Sequence, residues 1–110
     1  MNNKVNYREI LLRKIHKFLE DKNTLPQFQD EYYDYFLKEI PDRTLTDSEL
    51  LFFGTLQEQL DWTVENPGED RKWGYRNYQE YKKWAEQMTK AFLENEKKWE
   101  ENYHRHMNSW

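Results

Sequence analysis

Apolar side chains recur every three or four residues along most of the chain, which is the spacing of one face of an α-helix. Short polar segments divide this pattern into four stretches, which predict helices over about 7–21, 25–40, 47–65 and 78–103. Apolar and polar residues nowhere alternate long enough for a strand. We therefore expect an all-α fold, and the short connections favour an antiparallel four-helix bundle with a long C-terminal helix.

The start and end of each predicted helix carry local signals. A side chain that can cap a helix stands three residues before a Glu or Gln at Asn6, Thr24, Thr46 and Asn77. Pro41 and Pro67 end the second and third helices, because proline has no amide hydrogen and disfavours the α conformation in the preceding residue. At 1.5 Å per residue the last helix spans about 39 Å, against about 28 Å for the third, so we expect it to overhang its neighbours or to bend.

The third helix combines a core face with an acidic stripe. Its core face is predicted to hold Leu50, Phe53, Leu56, Leu60 and Val64. A separate stripe carries Glu58, Asp61 and Glu65, with Trp62 beside it, and Glu69 and Asp70 continue the negative charge into the next loop. Like charges at helical spacing repel unless a positive partner meets them. These acids, with Trp62 as an aromatic anchor, form the first candidate binding surface; a solvated helix face is the alternative.

The second helix offers another candidate surface. Asp30 and Asp34 share its outer side, and Tyr33 and Leu37 flank them. Acidic residues beside exposed aromatic rings are typical of protein recognition, because a ring gives a large contact area at a small entropic cost. The alternative is an ordinary helix surface with tyrosines at its boundary.

Length and composition indicate one domain over residues 1–110, with the tail 104–110 expected to fray. The absence of cysteine excludes disulfides, thiol catalysis and cysteine zinc sites. The first residues lack the apolar region of a signal peptide, and no apolar run reaches membrane-spanning length. We therefore expect a cytoplasmic protein with no membrane partner.

The net charge of −4 conceals a strong asymmetry along the chain. Residues 20–70 contain fourteen Asp or Glu and only three Lys or Arg, whereas both flanking segments are net positive. An acidic middle argues against direct nucleic-acid binding, which requires Lys and Arg, and favours a basic protein partner. The basic outer side of the first helix is expected to be a solvated face that offsets this charge.

Candidate chemistry is absent from the sequence. It contains no nucleophile elbow, P-loop, zinc-protease or paired-cysteine motif. His104 and His106 fall on different sides of a helix, so a metal site there is not expected. The acidic side chains are expected to be solvated and ionised, whereas a general acid requires a carboxyl group whose pKa is raised by burial. We expect no catalytic residues, no cofactor and no enzyme activity.

Several aromatic residues near the ends of helices have two interpretations. Trp73 either closes the end of the bundle, which is the favoured interpretation, or contacts a partner. Trp99, Tyr103 and Trp110 either cover the open end of the bundle or pair with a second copy of the chain. A homodimer through the last helix is therefore a further expectation.

Two stretches resemble a known family: FLEDKNTLPQFQDEYYDYF at 18–36 and LTDSELLFFGTLQEQLDWTVENPGEDRKWGY at 45–75. Their order of features is similar to that of the colicin D-type immunity proteins and their relatives beside bacterial contact-dependent toxins. The positions that carry the likeness are Phe18, Leu19, Phe28, Tyr32, Phe53, Leu60, Asp61, Asn66 and Pro67. The likeness covers about 18–90, and the long tail from 91 onward departs from it.

The resemblance implies a small acidic four-helix protein that places carboxylates in the positively charged substrate cleft of a nuclease toxin. We therefore expect an immunity protein that neutralises a cognate bacterial nuclease, one that cleaves tRNA. The alternatives are a phage-encoded inhibitor or nucleic-acid mimic directed at a host defence nuclease, and a structural or regulatory helical bundle that self-associates.

Overall fold

The computed structural model describes residues 5–108 and Trp110, so residues 1–4 and Ser109 lie outside the described part of the chain. The helices are α1 (Tyr7–Leu19), α2 (Leu25–Asp34), α3 (Asp47–Leu60), α4 (Tyr78–Glu94), α5 (Glu96–Glu101) and α6 (Tyr103–Met107). A π-helical turn at Tyr35–Glu39 continues α2, and a 3₁₀ turn at Gly68–Trp73 precedes α4. The described residues form no β-strand, and the prediction of an all-α fold is confirmed.

The four predicted helix starts are confirmed by hydrogen bonds. The Asn6 side chain accepts from the backbone N–H of Glu9 at 3.0 Å. The other three starts have reciprocal capping boxes, in which cap and third helical residue bond to each other's backbone, at Thr24, Thr46 and Asn77. Each box satisfies two backbone N–H groups that a helix start would otherwise leave unpaired, which fixes where the helix begins.

The prediction of one long C-terminal helix is wrong, because the helix is interrupted at Asn95 and again at Asn102. Asn95 has an extended backbone, with φ −164° and ψ 99°. Its side chain accepts from the backbone N–H of Lys98 at 3.0 Å and so starts α5. The break turns the chain back and places Trp99 against Phe52, with ring centroids 5.6 Å apart. The Trp99 indole is therefore buried on the core, instead of lying on a last helix that overhangs its neighbours.

The buried face of α3 differs from the predicted one. Leu50, assigned to the core by its helical spacing, is 46% exposed, whereas Phe52 is fully buried. Phe52 stacks on Phe92 of α4 at 4.1 Å and meets Trp99 of α5 edge-on. Because α5 covers a second side of α3, the buried face is wider than one stripe and includes Phe52.

Two buried tyrosine hydroxyls tie neighbouring helices to α3. Tyr32 of α2 donates to the Phe53 carbonyl at 2.7 Å, and Tyr81 of α4 donates to the Leu56 carbonyl at 2.7 Å. Burial raises the pKa of both hydroxyls well above 10.0, so both remain protonated donors. Helix α1 packs on α2 and α4 and completes the core. In the part of the chain described, no helix is long and apolar enough to cross a membrane.

The tail packs on the rest of the chain where fraying was expected. The Trp110 ring lies edge-on to Trp84 at 4.9 Å, and its indole N–H donates to the Gly74 carbonyl at 2.9 Å. The His106 ring stacks on Trp99 at 6.0 Å. The tryptophans that suggested pairing with a second copy therefore contact their own chain.

Candidate partner-binding surface

The acidic stripe predicted on α3 is not a continuous helical stripe, because α3 ends at Leu60. Asp61 is the C-cap residue, and the backbone N–H groups of Asp61 and Trp62 bond three residues back at 3.1 Å. The Thr63 hydroxyl also donates to the Gln59 carbonyl at 2.8 Å, so this carbonyl accepts from both Trp62 and Thr63. Glu58 lies on the last turn of α3, whereas Glu65 lies in the loop beyond it.

Backbone hydrogen bonds hold the two ends of this loop together. The N–H of Val64 donates to the Arg76 carbonyl at 2.9 Å, and the N–H of Arg76 donates to the Trp62 carbonyl at 3.0 Å. Between these ends, the 3₁₀ turn stops at Gly74, whose φ of 99° lies in the left-handed region that favours glycine. The loop is therefore attached to α3 and α4 by defined backbone pairing rather than by side chains alone.

Six of the predicted site carboxylates are exposed and make no ion pair or side-chain hydrogen bond with any described residue: Asp30 on α2, and Glu58, Asp61, Glu65, Glu69 and Asp70 at and after the end of α3. We call the last five the acidic surface. Some other acids of the 20–70 segment meet a cation, as Glu49 meets Arg8 at 3.2 Å, whereas Asp30, Glu39, Asp42 and Asp47 have no ion pair among the described residues. The acidic surface is thus an uncompensated part of the negative middle segment.

The basic residues that follow the acidic surface in sequence do not neutralise it. Arg71 bonds to Glu80 at 2.6 Å, at the start of α4. The pKa of Glu80 is held below 4.5 first by the backbone N–H of Asn77 and then by Arg71. The Lys72 ammonium lies over the Trp73 ring, 5.5 Å from its centroid. Both cations are therefore engaged away from the carboxylates.

Glu58 and Asp61 also lie where the helix dipole disfavours negative charge. They occupy the last turn and the C-cap of α3, at the negative end of the helix dipole, and that turn contains no Lys, Arg or His. A carboxylate in this position destabilises a helix by about 0.3–1 kcal/mol. A local arrangement that reduces stability without a compensating contact is characteristic of functional surfaces.

Two tryptophans accompany the acidic surface. Trp62, the predicted anchor, is 40% exposed and leans on Tyr75 with ring centroids 5.1 Å apart. Trp73 is 67% exposed, so the favoured prediction that it closes the end of the bundle is wrong. Trp73 is absent from the predicted site residues, although its polar, charged neighbours in the sequence indicate a surface position. An indole this exposed beside unpaired carboxylates offers a partner a large apolar contact.

The second candidate surface lies on α2 and the π-helical turn that continues it. Asp30 and Asp34 are exposed and Tyr33 is half-buried. Asp34 has a weak partner in Lys38 at 3.8 Å, and Leu37 is 53% exposed on the adjoining π-helical turn. No hydrogen bond or ion pair within the described ranges links these residues to the acidic surface.

The described acidic side chains do not form a cluster of metal ligands. In the described part of the chain, no three His, Asp or Glu side chains converge as metal ligands would. The site is a set of exposed carboxylates and indoles on a helix end and a loop, an arrangement suited to binding. Comparisons of the chain with protein-family models, with curated proteins and with solved structures find no match.

Proposed function

We propose that the protein is an inhibitory binding protein, and specifically an immunity protein that neutralises a cognate bacterial nuclease toxin, one that cleaves tRNA. The observation that carries this proposal is the acidic surface: five exposed carboxylates without a cation, next to Trp62 and Trp73. The resemblance of residues 18–90 to the colicin D-type immunity proteins supports the same function. In this proposal the protein acts in the cytoplasm by binding alone, on an antiparallel four-helix core.

The chemistry of a nuclease cleft explains why such a surface would inhibit it. A site that binds RNA presents Lys and Arg to a row of phosphates. Carboxylates held on a folded surface present negative charge to the same cations, and opposite charges steer the two proteins together. Exposed indoles then supply the apolar contact that slows dissociation. In the free protein, the carboxylates interact unfavourably with the helix dipole and with one another. Cations of the partner offset both interactions when they approach.

The test is protection of cells from the nuclease encoded by the adjacent gene, together with binding of the two purified proteins. We expect the double variant Glu58→Lys/Asp61→Lys to lose protection and to bind more weakly by about 2–5 kcal/mol, if both charges are desolvated in the complex. The matched control is Glu86→Lys/Glu94→Lys, two exposed acids of α4 that also have no ion pair in the described residues. The control changes the net charge equally and should protect as well as the natural sequence.

Three results would contradict the proposal. The first would be that the adjacent gene encodes neither a nuclease nor another basic protein. The second would be full protection by the double variant Glu58→Lys/Asp61→Lys at the end of α3. The third would be an equal loss of protection in the α4 control variant, which would show that the total charge matters and the acidic surface does not.

A further inference from the structure

The tail of the chain bonds to the loop between Val64 and Arg76, which we call the recognition loop because it carries three carboxylates of the acidic surface and the exposed ring of Trp73. The indole N–H of Trp110 donates to the carbonyl of Gly74 at 2.9 Å, and Gly74 directly follows Trp73. The Arg76 guanidinium donates in turn to the main-chain oxygen of Trp110. Two hydrogen bonds, one in each direction, therefore join the tail to the end of the recognition loop.

The ring of Trp110 is itself held by α4. It lies edge-on to Trp84 at 4.9 Å and to Tyr81 at 6.0 Å, and both of these rings are buried in the core. Edge-to-face contacts between aromatic rings are favourable and fix the orientation of one ring against another. The position of Trp110 is therefore determined by the core, and the tail transmits it to the loop.

The same part of the loop has weaker attachments elsewhere. Arg71 pairs with Glu80 at 2.6 Å, but both side chains are exposed, and an exposed ion pair stabilises little. The Tyr75 ring leans on Trp62, which is itself 40% exposed. The backbone hydrogen bonds of the 3₁₀ turn join residues of the loop to one another. The tail is thus the connection from this part of the loop to buried side chains of α4.

We infer that Trp110 is a positioning residue for the recognition loop: it fixes Gly74, and through Gly74 the exposed ring of Trp73, in the conformation that the protein partner binds. This inference rests on the proposed function and concerns how the binding surface is held ready. Glycine has access to more backbone conformations than any other residue, and Gly74 has a φ of 99°. A bond to its carbonyl therefore restricts the direction of the chain beside Trp73, which reduces the entropy that the loop loses on binding.

The first experiment measures amide hydrogen exchange in the protein alone. Trp110→Phe keeps an aromatic ring against α4 and removes the indole N–H. We expect the amides of Gly74 and Arg76 to exchange about two- to tenfold faster, as the loss of one neutral hydrogen bond predicts, while amides of α1 and α2 keep their rates. The matched control is Tyr103→Phe, which removes a hydroxyl of the same tail that bonds to α3 instead of the loop and should leave both loop amides unchanged.

The second experiment tests whether Trp110 acts on binding through Trp73. The affinity for the purified nuclease encoded by the adjacent gene is measured for Trp110→Ala, for Trp73→Ala and for the double variant, and the exchange rates of α1 and α2 amides verify that each variant is folded. We expect Trp110→Ala to weaken binding by about two- to tenfold, because one more side chain must be ordered on binding. This loss should disappear in the Trp73→Ala background, where the tail has no ring to position.

The two proposals fail in different ways. Unchanged exchange at Gly74 and Arg76, equal acceleration in α1 and α2, or an equal loss of affinity in both backgrounds would overturn the positioning role, even if Glu58→Lys/Asp61→Lys abolishes protection. If exchange and affinity change as expected but that double variant protects fully, the tail positions the loop and the proposed inhibitory surface is wrong.

Discussion

Glu58 and Asp61 place two carboxylates at the C-terminal end of a helix without a cation to offset them. Neutralising either one, as Glu58→Gln or Asp61→Asn, should raise the free energy of unfolding by about 0.3–1 kcal/mol, because the helix dipole no longer opposes a charge there. Denaturant unfolding at low salt measures this change, and 1 M salt should reduce it. Glu86→Gln, in the interior of α4, is the control and should change little. A loss of stability at Glu58 or Asp61 would refute the account.

The buried hydroxyl of Tyr81 makes a prediction with a pH dependence. Tyr81→Phe removes the bond to the Leu56 carbonyl and should lower stability by about 0.5–1.5 kcal/mol at neutral pH. Because burial raises the pKa of Tyr81 in the folded state, an unfolded tyrosine ionises first. Its contribution is therefore complete below pH 10.0 and is lost as the pH rises above that value.

Thermal unfolding between pH 8 and pH 11.5 checks this linkage. The natural sequence should lose stability steeply at the alkaline end, and Tyr81→Phe should lose less of it there. Tyr33→Phe is the control, because Tyr33 is only half-buried and makes no hydrogen bond with the described residues. A Tyr81→Phe profile parallel to that of the natural sequence would show that the hydroxyl does not govern alkaline unfolding.

At the scale of helices, Asn95 determines where the chain leaves α4 and begins α5. Asn95→Ala removes the cap of α5 and should lower stability by about 1 kcal/mol, because alanine cannot accept from the Lys98 N–H and favours continuing α4. Trp99 then packs less tightly on Phe52, so its fluorescence should shift to longer wavelength and near-ultraviolet circular dichroism should weaken. Asn108→Ala, at an exposed position beyond α6, should leave both signals unchanged.

Local signals in the sequence were sufficient for the starts of the four predicted helices but not for the ends of α3 and α4. The boxes at Thr24, Thr46 and Asn77 depend on residues three apart, so the sequence displays them directly. The break at Asn95 depends on Trp99 reaching Phe52, a contact between residues more than forty positions apart. The same contact explains why Phe52 is buried while Leu50 is exposed. Helical periodicity alone does not contain this information.

At the scale of the whole molecule, the charge distribution makes a prediction about association rates. The negative segment at 20–70 should attract a basic partner at long range, so the association rate constant should fall by about tenfold or more between 0.01 M and 1 M salt. Trp73→Ala should instead raise the dissociation rate, because an exposed ring holds the complex after it forms. Stopped-flow kinetics at several salt concentrations separates the two. An association rate independent of salt would exclude electrostatic steering.

The total charge of this segment was readable from the sequence, but its distribution into paired and unpaired groups was not. Glu49 and Asp61 are both acids of the same region, yet Glu49 meets Arg8 from a distant helix and Asp61 has no partner among the described residues. The sequence correctly identified Asp61 and Trp62 as exposed, but it placed Trp73 in the bundle. Which charges remain uncompensated depends on how the helices pack, because the neutralising cations come from other elements.

The paired ends of the loop between Val64 and Arg76 have an evolutionary consequence. Since the two backbone bonds fix where the loop leaves and rejoins the helices, residues between them can change in number at a small cost, about 0.6 kcal/mol for each doubling of length. The length and sequence of the loop can thus change while the capped helices stay the same. Selection for binding a changed partner can therefore act on this loop, by insertion as readily as by substitution, without requiring a new fold.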